Sequence, residues 1–256
     1  MFRKSVRDGK LAAGFPDWLL KPPSNLVSGD RASIMETLFK KVFSKNAIKG
    51  IEVGVWRAAG STQIWLNNCA PKSEFFLVDR WDPDASEFLR KNMEFSEVII
   101  YMSHNAIATD NYLAALLAIK EIEKTRIRDL LDIHLIRGQS NHFLGSLDRD
   151  SFDFIYLDGD HRYENIKSDI RHSKRLIRKD FGIICGDDLE KAPTLELYNE
   201  SISFKEEDFL RTPEKNYHPG VVAAIWEEFN GQVDIKNGFW WICCVNGAFK
   251  KGYINI

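Results

Sequence analysis

The sequence predicts an α/β fold: a mostly parallel seven-stranded sheet with helices on both faces and an antiparallel hairpin at its C-terminal end. Two observations carry this. From residue 30 onward, short apolar runs of strand length alternate with segments of helical periodicity, the pattern of parallel strands joined by crossover helices. The last apolar run is split by Asn237-Gly238, a strong two-residue hairpin signal.

The elements follow in order. Residues 1–29, with Pro16 and the KPPSN cluster, lack periodicity and are expected to form an arm or lid. Residues 30–256 form the main domain. In DRASIMETLFKKVFSK (30–45), Ile34, Leu38, Phe39, Val42 and Phe43 recur at helical spacing, predicting a helix on the domain edge. KGIEVGVW is the first strand, followed by a turn of small residues and the helical GSTQIWLNNCA. EFFLVD (74–79) is the second strand, LDIHLIRG (131–138) the third, FDFIYLD (152–158) the fourth and GIICGDD (182–188) the fifth. The segment 81–130 is too long for a plain crossover; DPDASEFLRKNMEF and NYLAALLAIKEIEKT within it predict a helical insertion. ENIKSDIRHSKRLIRK and HPGVVAAIWEEF are helical, and QVDIKNGFWWICCVNG supplies the two hairpin strands.

With 256 residues, 44% of them hydrophobic, the chain can bury a substantial core. Its 35 basic and 37 acidic residues leave a net charge of −2, which argues against a nucleic-acid or membrane-surface partner. No run approaches the roughly 20 apolar residues of a membrane span, and the N-terminal segment lacks the apolar stretch of a signal peptide. Cys69, Cys185, Cys243 and Cys244 show no C-x-x-C spacing and read as small buried hydrophobes. A soluble, cytoplasmic setting is expected.

In open α/β sheets, ligands bind beyond the carboxyl ends of the strands. After the first strand comes EVGVWRAAGST, with Glu52, Gly54, Arg57, Gly60 and Ser61. Its small residues let a ligand approach the backbone, with a helix N-terminus behind. Asp79, about 20 residues on, stands at the end of the second strand, where a carboxylate accepts hydrogen bonds from ribose hydroxyls. Arg80 follows it. These features fit an adenosine cofactor, but the loop is not G-x-G-x-x-G, which opposes an NAD-type oxidoreductase.

In order, EVGVWRAAGST, FFLVD, FDFIYLDGDHRYENIKSDI, GIICGDD and HPGVVAAIWEEF resemble the class I S-adenosylmethionine-dependent methyltransferases, whose fold is Rossmann-like. They are most similar to the macrocin and sugar O-methyltransferase group, over roughly residues 35–248. The resemblance implies that Glu52 and Gly54 line the pocket for the methionine moiety and that Asp79 holds the ribose. It places Gly138, Gln139 and Ser140 near the adenine. The family commonly has Gly-Gly where this chain has Ala58-Ala59, so its methyl groups are expected to narrow the pocket.

Asp158 ends the fourth strand and Asp187-Asp188 the fifth. If the two strands are neighbours, their ends lie about 5 Å apart, and three converging carboxylates repel unless a proton or cation lies among them. Oxygen ligands favour Mg²⁺ or Mn²⁺. His161, with an ordinary pKa of about 6.5, suits a general base. The resemblance implies the same: Asp158, Asp187 and Asp188 as metal ligands, His161 as base, and Asp158 also beside the cofactor. Asp160 is expected to cap the following helix, Tyr163 to pack, and His218 and Trp240-Trp241 to be structural. His104, His134, His142 and His172 show no ligand spacing. The expected activity is metal-dependent methyl transfer from S-adenosylmethionine to a hydroxyl of a sugar or other small natural product. The alternative is a non-catalytic adenosine-binding module on the same fold. The sequence leaves open whether the chain forms a homo-oligomer.

Overall fold

The computed structural model describes residues 29–81, 104–211 and 216–256. Most of the expected arm and residues 82–103 of the expected insertion, including its first predicted helix, lie outside them.

Helix α1 (Gly29–Phe43) leads into β1 (Lys49–Val53), α2 (Ser61–Asn68), β2 (Glu74–Asp79), α3 (His104–Thr125), β3 (Asp132–Arg137) and α4 (Ser140–Ser146). Then come β4 (Phe154–Leu157), α5 (Tyr163–Leu176), β5 (Phe181–Leu189) and α6 (Leu195–Ser201). A small hairpin of β6 (Leu210–Arg211) and β7 (Asn216–Tyr217) precedes α7 (Pro219–Phe229) and the strands β8 (Asp234–Lys236), β9 (Gly238–Val245) and β10 (Ala248–Lys250).

The main sheet has eight strands, in the order β10-β9-β5-β4-β1-β2-β3, with β8 also pairing β9. Strands β1 to β5 are mutually parallel where they pair, and β9 runs antiparallel to β5. The hairpin expected at Asn237-Gly238 joins β8 to β9, with φ of 52° and 84° at its two turn residues. The eighth strand arises from a second Asn-Gly turn. Asn246 and Gly247, with φ of 53° and 77°, reverse the chain so that β10 pairs Cys243–Val245 of β9. Positive φ at both positions is the geometry that matches a hairpin's twist.

Alternation along the strands divides the core into two layers. Phe154 and Tyr156 of β4 face one side, with Met35, Leu38 and Phe39 of α1 and Trp65 of α2. Ile155 and Leu157 face the other, with Ile166 and Ile170 of α5 and Val222 and Ile225 of α7. The first layer is aromatic: Phe39 and Trp65 each pack against Phe154, at centroid separations of 5.1 and 4.9 Å. Each such contact is worth about 0.5–1.5 kcal/mol beyond area burial. All four cysteines are buried and free. Arg126, just beyond α3, closes the C-terminus of α2 by donating to the carbonyls of Leu66 and Cys69, groups a helix end leaves unsatisfied.

The strand order reverses between β1 and β4. From β1 the chain adds β2 and β3 on one side, then returns to place β4 and β5 on the other. Such a switch point opens a crevice at the carboxyl ends of the two central strands. Among the described residues, no helix is long and apolar enough to cross a membrane.

Candidate active site

The crevice is built first by β1 and its loop. Glu52 is fully buried, and burial pushes its carboxyl up to about 8. Ser61 Oγ, in the first turn of α2, donates to Glu52 Oε1 at 2.5 Å. Gly54 has φ of 88°. The loop then turns sharply, with positive φ at Trp56 (47°) and Ala58 (53°). Asp79 braces this turn: its carboxylate accepts from the backbone N–H of Trp56 at 2.7 Å and of Trp81 at 2.9 Å. The Ala58 methyl belongs to the apolar layer behind the loop and does not line the crevice.

A cavity of about 210 Å³ lies here, walled by Arg31, Gly54, Trp56, Gly60 and Ser61 on one side and by Asp158, Asp187 and Asp188 on the other. Strands β4 and β5 are neighbours, with Leu157 opposite Gly186, so the acids do converge. Asp187 and Asp188 sit in a bulge of β5, between Gly186 and Leu189, where Asp188 has φ of 63°. Adjacent residues of a regular strand face opposite sides of the sheet; the bulge re-aims them.

The two acids then part. Asp187 is 5% exposed, and Arg31 of α1 holds its Oδ1 at 2.6 Å. Burial and the neighbouring Asp158 and Asp188 still push Asp187 up to about 8. Asp188 turns to His161, its Oδ2 lying 3.1 Å from Nε2, while Asp158 Oδ1 lies 3.5 Å from the same nitrogen. This Nε2 is buried and has no aligned hydrogen bond. Nδ1 of His161 pairs with Asp208 Oδ1 at 3.3 Å. Burial alone would lower the imidazole pKa, but pairing with Asp158, Asp208 and Asp188 outweighs it and holds His161 well above 6.5. Burial raises Asp158. It also raises the Tyr156 phenol, which lies within 3.3 Å of Asp158 Oδ2 and 3.5 Å of Asp187 Oδ2.

Among the described residues, four groups bring possible ligand atoms within 4.8 Å of one another, and the one that contains both Asp158 and Asp188 is Asp158, His161 and Asp188. The expected set of Asp158, Asp187 and Asp188 differs from it by one member, because Asp187 is engaged by Arg31. The donor chemistry fits a divalent cation held by carboxylate oxygens of Asp158 and Asp188, with the His161 ring beside them. The crevice also fits an adenosine cofactor's amino-acid end: Gly54 and Gly60 line it without side chains, and acids face it.

Other expected residues are more scattered. Arg57 is buried behind the loop. Arg80 Nη1 lies 3.9 Å from Asp160 Oδ2. Gln139 stands immediately before α4, and Ser140 Oγ donates at 2.9 Å to Asp169, a buried acid of α5. Asp160 accepts from the backbone N–H of Arg162 and from Asn165, bracing the turn that enters α5. Tyr163 packs in the core and donates to Glu227.

Sequence reasoning missed four neighbours of the site. Arg31 comes from the helix expected only to pack. Tyr156 lies inside a strand. Asp208 sits on an irregular segment. His218, expected to be structural, precedes α7 with its ring 4.6 Å from that of His161, and its Nδ1 is held by Glu190 at 2.8 Å.

A family model described as a methyltransferase domain matches residues 51–189, more than half of the chain and the segment that contains the site from Glu52 to Asp188. No curated protein matches. Among solved structures, a Corynebacterium glutamicum protein is 10% identical with a TM-score of 0.50, covering 95% of this chain and 96% of its own. An O-methyltransferase from Streptomyces achromogenes involved in tomaymycin synthesis, in complex with SAM, is 12% identical with a TM-score of 0.49, covering 95% and 96%. An O-methyltransferase from Bacillus cereus in complex with SAH is 16% identical with a TM-score of 0.47, covering 88% and 84%. The chain belongs to the methyltransferase-domain family, with the fold of the class I S-adenosylmethionine-dependent enzymes that its motifs resemble.

Proposed function

We propose that the protein is an O-methyltransferase that moves the methyl group of S-adenosylmethionine to a hydroxyl of a sugar or other small natural product. One observation carries this reading: the Gly54 loop, Asp158 and Asp188 line one cavity at the switch point, and His161 lies directly against those two acids. Gly54, Gly60 and Ser61 line the pocket for the cofactor's amino-acid end, the buried Glu52 holds Ser61 from behind, and Asp79, which braces the loop, faces the ribose. The acids along the cavity suit a ligand that carries a sulfonium and an ammonium.

Asp158 and Asp188, with His161 beside them, would hold a divalent cation, which supplies Lewis acidity toward a bound hydroxyl. His161 takes the hydroxyl proton at Nε2, the ring nitrogen facing the acids, while Asp208 fixes the ring through Nδ1. Its raised pKa rests on pairing with Asp158, Asp208 and Asp188, so neutralising Asp158 and Asp188 would lower it and free the ring of its proton to serve as the base. The sulfonium already carries its leaving group, and the remaining demand on the chain is in-line positioning.

A second reading has one observation in its favour. Arg31 and a protonated His161 already balance charge among the acids, an arrangement compatible with methyl transfer that needs no metal. Calorimetry with S-adenosylhomocysteine and with NAD tests the cofactor, tighter binding of NAD overturning it. A chelator titration of the activity separates the two readings.

A further inference from the structure

Helix α1 brings a cation into a cavity otherwise walled by acids. Arg31 Nη1 lies 2.6 Å from Asp187 Oδ1 and 3.8 Å from Asp188 Oδ1, and its side chain is only 20% exposed. Among the described residues that wall the cavity, Arg31 supplies the positive charge and Asp158, Asp187 and Asp188 the negative. Gly54, Gly60 and Ser61 face the same space.

We infer that Arg31 binds the α-carboxylate of the cofactor's methionine moiety; the inference rests on the cofactor reading above. An amino acid bound beside these acids gains from its ammonium but is penalised at its carboxylate, since like charges repel. Buried carboxylates need a partner, and Arg31 is the one this wall offers. A guanidinium is a planar fork of five donors that suits carboxylates and can span two of them. Arg31 can therefore hold Asp187 and receive the ligand's carboxylate at once. It also explains why the helix leading out of the N-terminal segment is pinned to the end of β5: α1 closes the amino-acid end of the pocket.

The test compares two ligands that share the adenosine and thioether but differ at the amino acid. S-adenosylhomocysteine has the carboxylate; 5′-methylthioadenosine lacks it. Their dissociation constants are measured by calorimetry on the full chain, for wild type, Arg31→Ala and Arg31→Lys. Arg31→Ala is expected to weaken S-adenosylhomocysteine by about 10–100-fold, the value of a charged hydrogen bond, and to leave 5′-methylthioadenosine within about twofold. Arg31→Lys should restore part of the loss. Retained methylthioadenosine binding also shows that the variant is folded. Equal loss for both ligands, or no loss for S-adenosylhomocysteine, overturns the inference and leaves the cofactor reading standing. A wild-type protein that binds neither overturns the cofactor reading itself.

Discussion

Gly54 and Asp158 touch across the switch point: a Cβ placed on Gly54 would lie 1.8 Å from the carbonyl oxygen of Asp158. The contact ties the loop after β1 to the first acid after β4, and the φ of 88° at Gly54 adds a conformation that side chains rarely adopt. Gly54→Ala must push the two strand ends apart. The expected result is a stability loss of about 1–3 kcal/mol, together with loss of S-adenosylhomocysteine binding, read by chemical denaturation and calorimetry. Wild-type affinity in this variant would show that the ligand does not use the loop.

Much of this crevice was legible in the sequence, for identifiable reasons. The apolar runs gave five parallel strands because each must bury side chains on both faces, and their ends gave Gly54 and Asp158, which wall the cavity, and Asp79, which braces its loop. The acids after β5 were legible as a pair, but their different tasks were not. The bulge that separates them depends on pairing with β9, far along the chain. Arg31 was invisible for a similar reason, its partner lying 156 residues away. His218 shows no ligand spacing with His161; only the packing of α7 beside α5 brings the rings together. Strand β10, by contrast, had a readable signal in Asn246-Gly247.

Asp79 braces the loop through Trp56 and Trp81, and in the proposed function it also faces the ribose. Asp79→Ala removes both and should weaken S-adenosylhomocysteine by about 1.5–3 kcal/mol. Asp79→Asn keeps one acceptor oxygen and should lose less. Equal affinity for wild type and Asp79→Ala would remove the ribose contact from the proposed site.

Buried acids give the apoprotein a defined pH response. Glu52, Asp169 and Asp187 are raised by burial to about 8, 7 and 8. Between about pH 5 and 8 the unfolded chain has released these protons while the folded one retains them, so stability falls as pH rises. His161 has the same sign, since the folded state keeps its proton above 6.5. Glu227, held near 2 by Lys167, Tyr163 and Tyr198 despite partial burial, contributes fully throughout this window and does not offset the slope. Thermal melts at pH 5.5, 7 and 8.5 should show Tm falling by at least about 2–4 °C, the shift that ~1 kcal/mol produces in a domain of this size. Asp169→Asn should flatten part of the slope. A Tm that stays level or rises to pH 8.5 would contradict the burial assigned to these groups.

The acid cluster makes the last and sharpest demand. If Asp158 and Asp188 hold a divalent cation with His161 beside them, a chelator should abolish methyl transfer and added Mg²⁺ or Mn²⁺ should restore it. Asp188→Ala should raise the metal concentration needed for activity. Asp187→Ala should raise it less, because Asp187 is already committed to Arg31. His161→Ala should still bind cofactor while turnover falls by roughly 10²–10⁴-fold, as for a missing general base. Raising the pH should partly rescue that variant, since the acceptor hydroxyl then ionises without help. In wild type, cation binding should shift the His161 ring resonances in an NMR titration toward those of the neutral imidazole, because the carboxylates that keep it protonated are then shared. Full activity in excess chelator would leave Arg31 and His161 as the cations of the site, and the enzyme would belong with methyltransferases that position their acceptor without a metal.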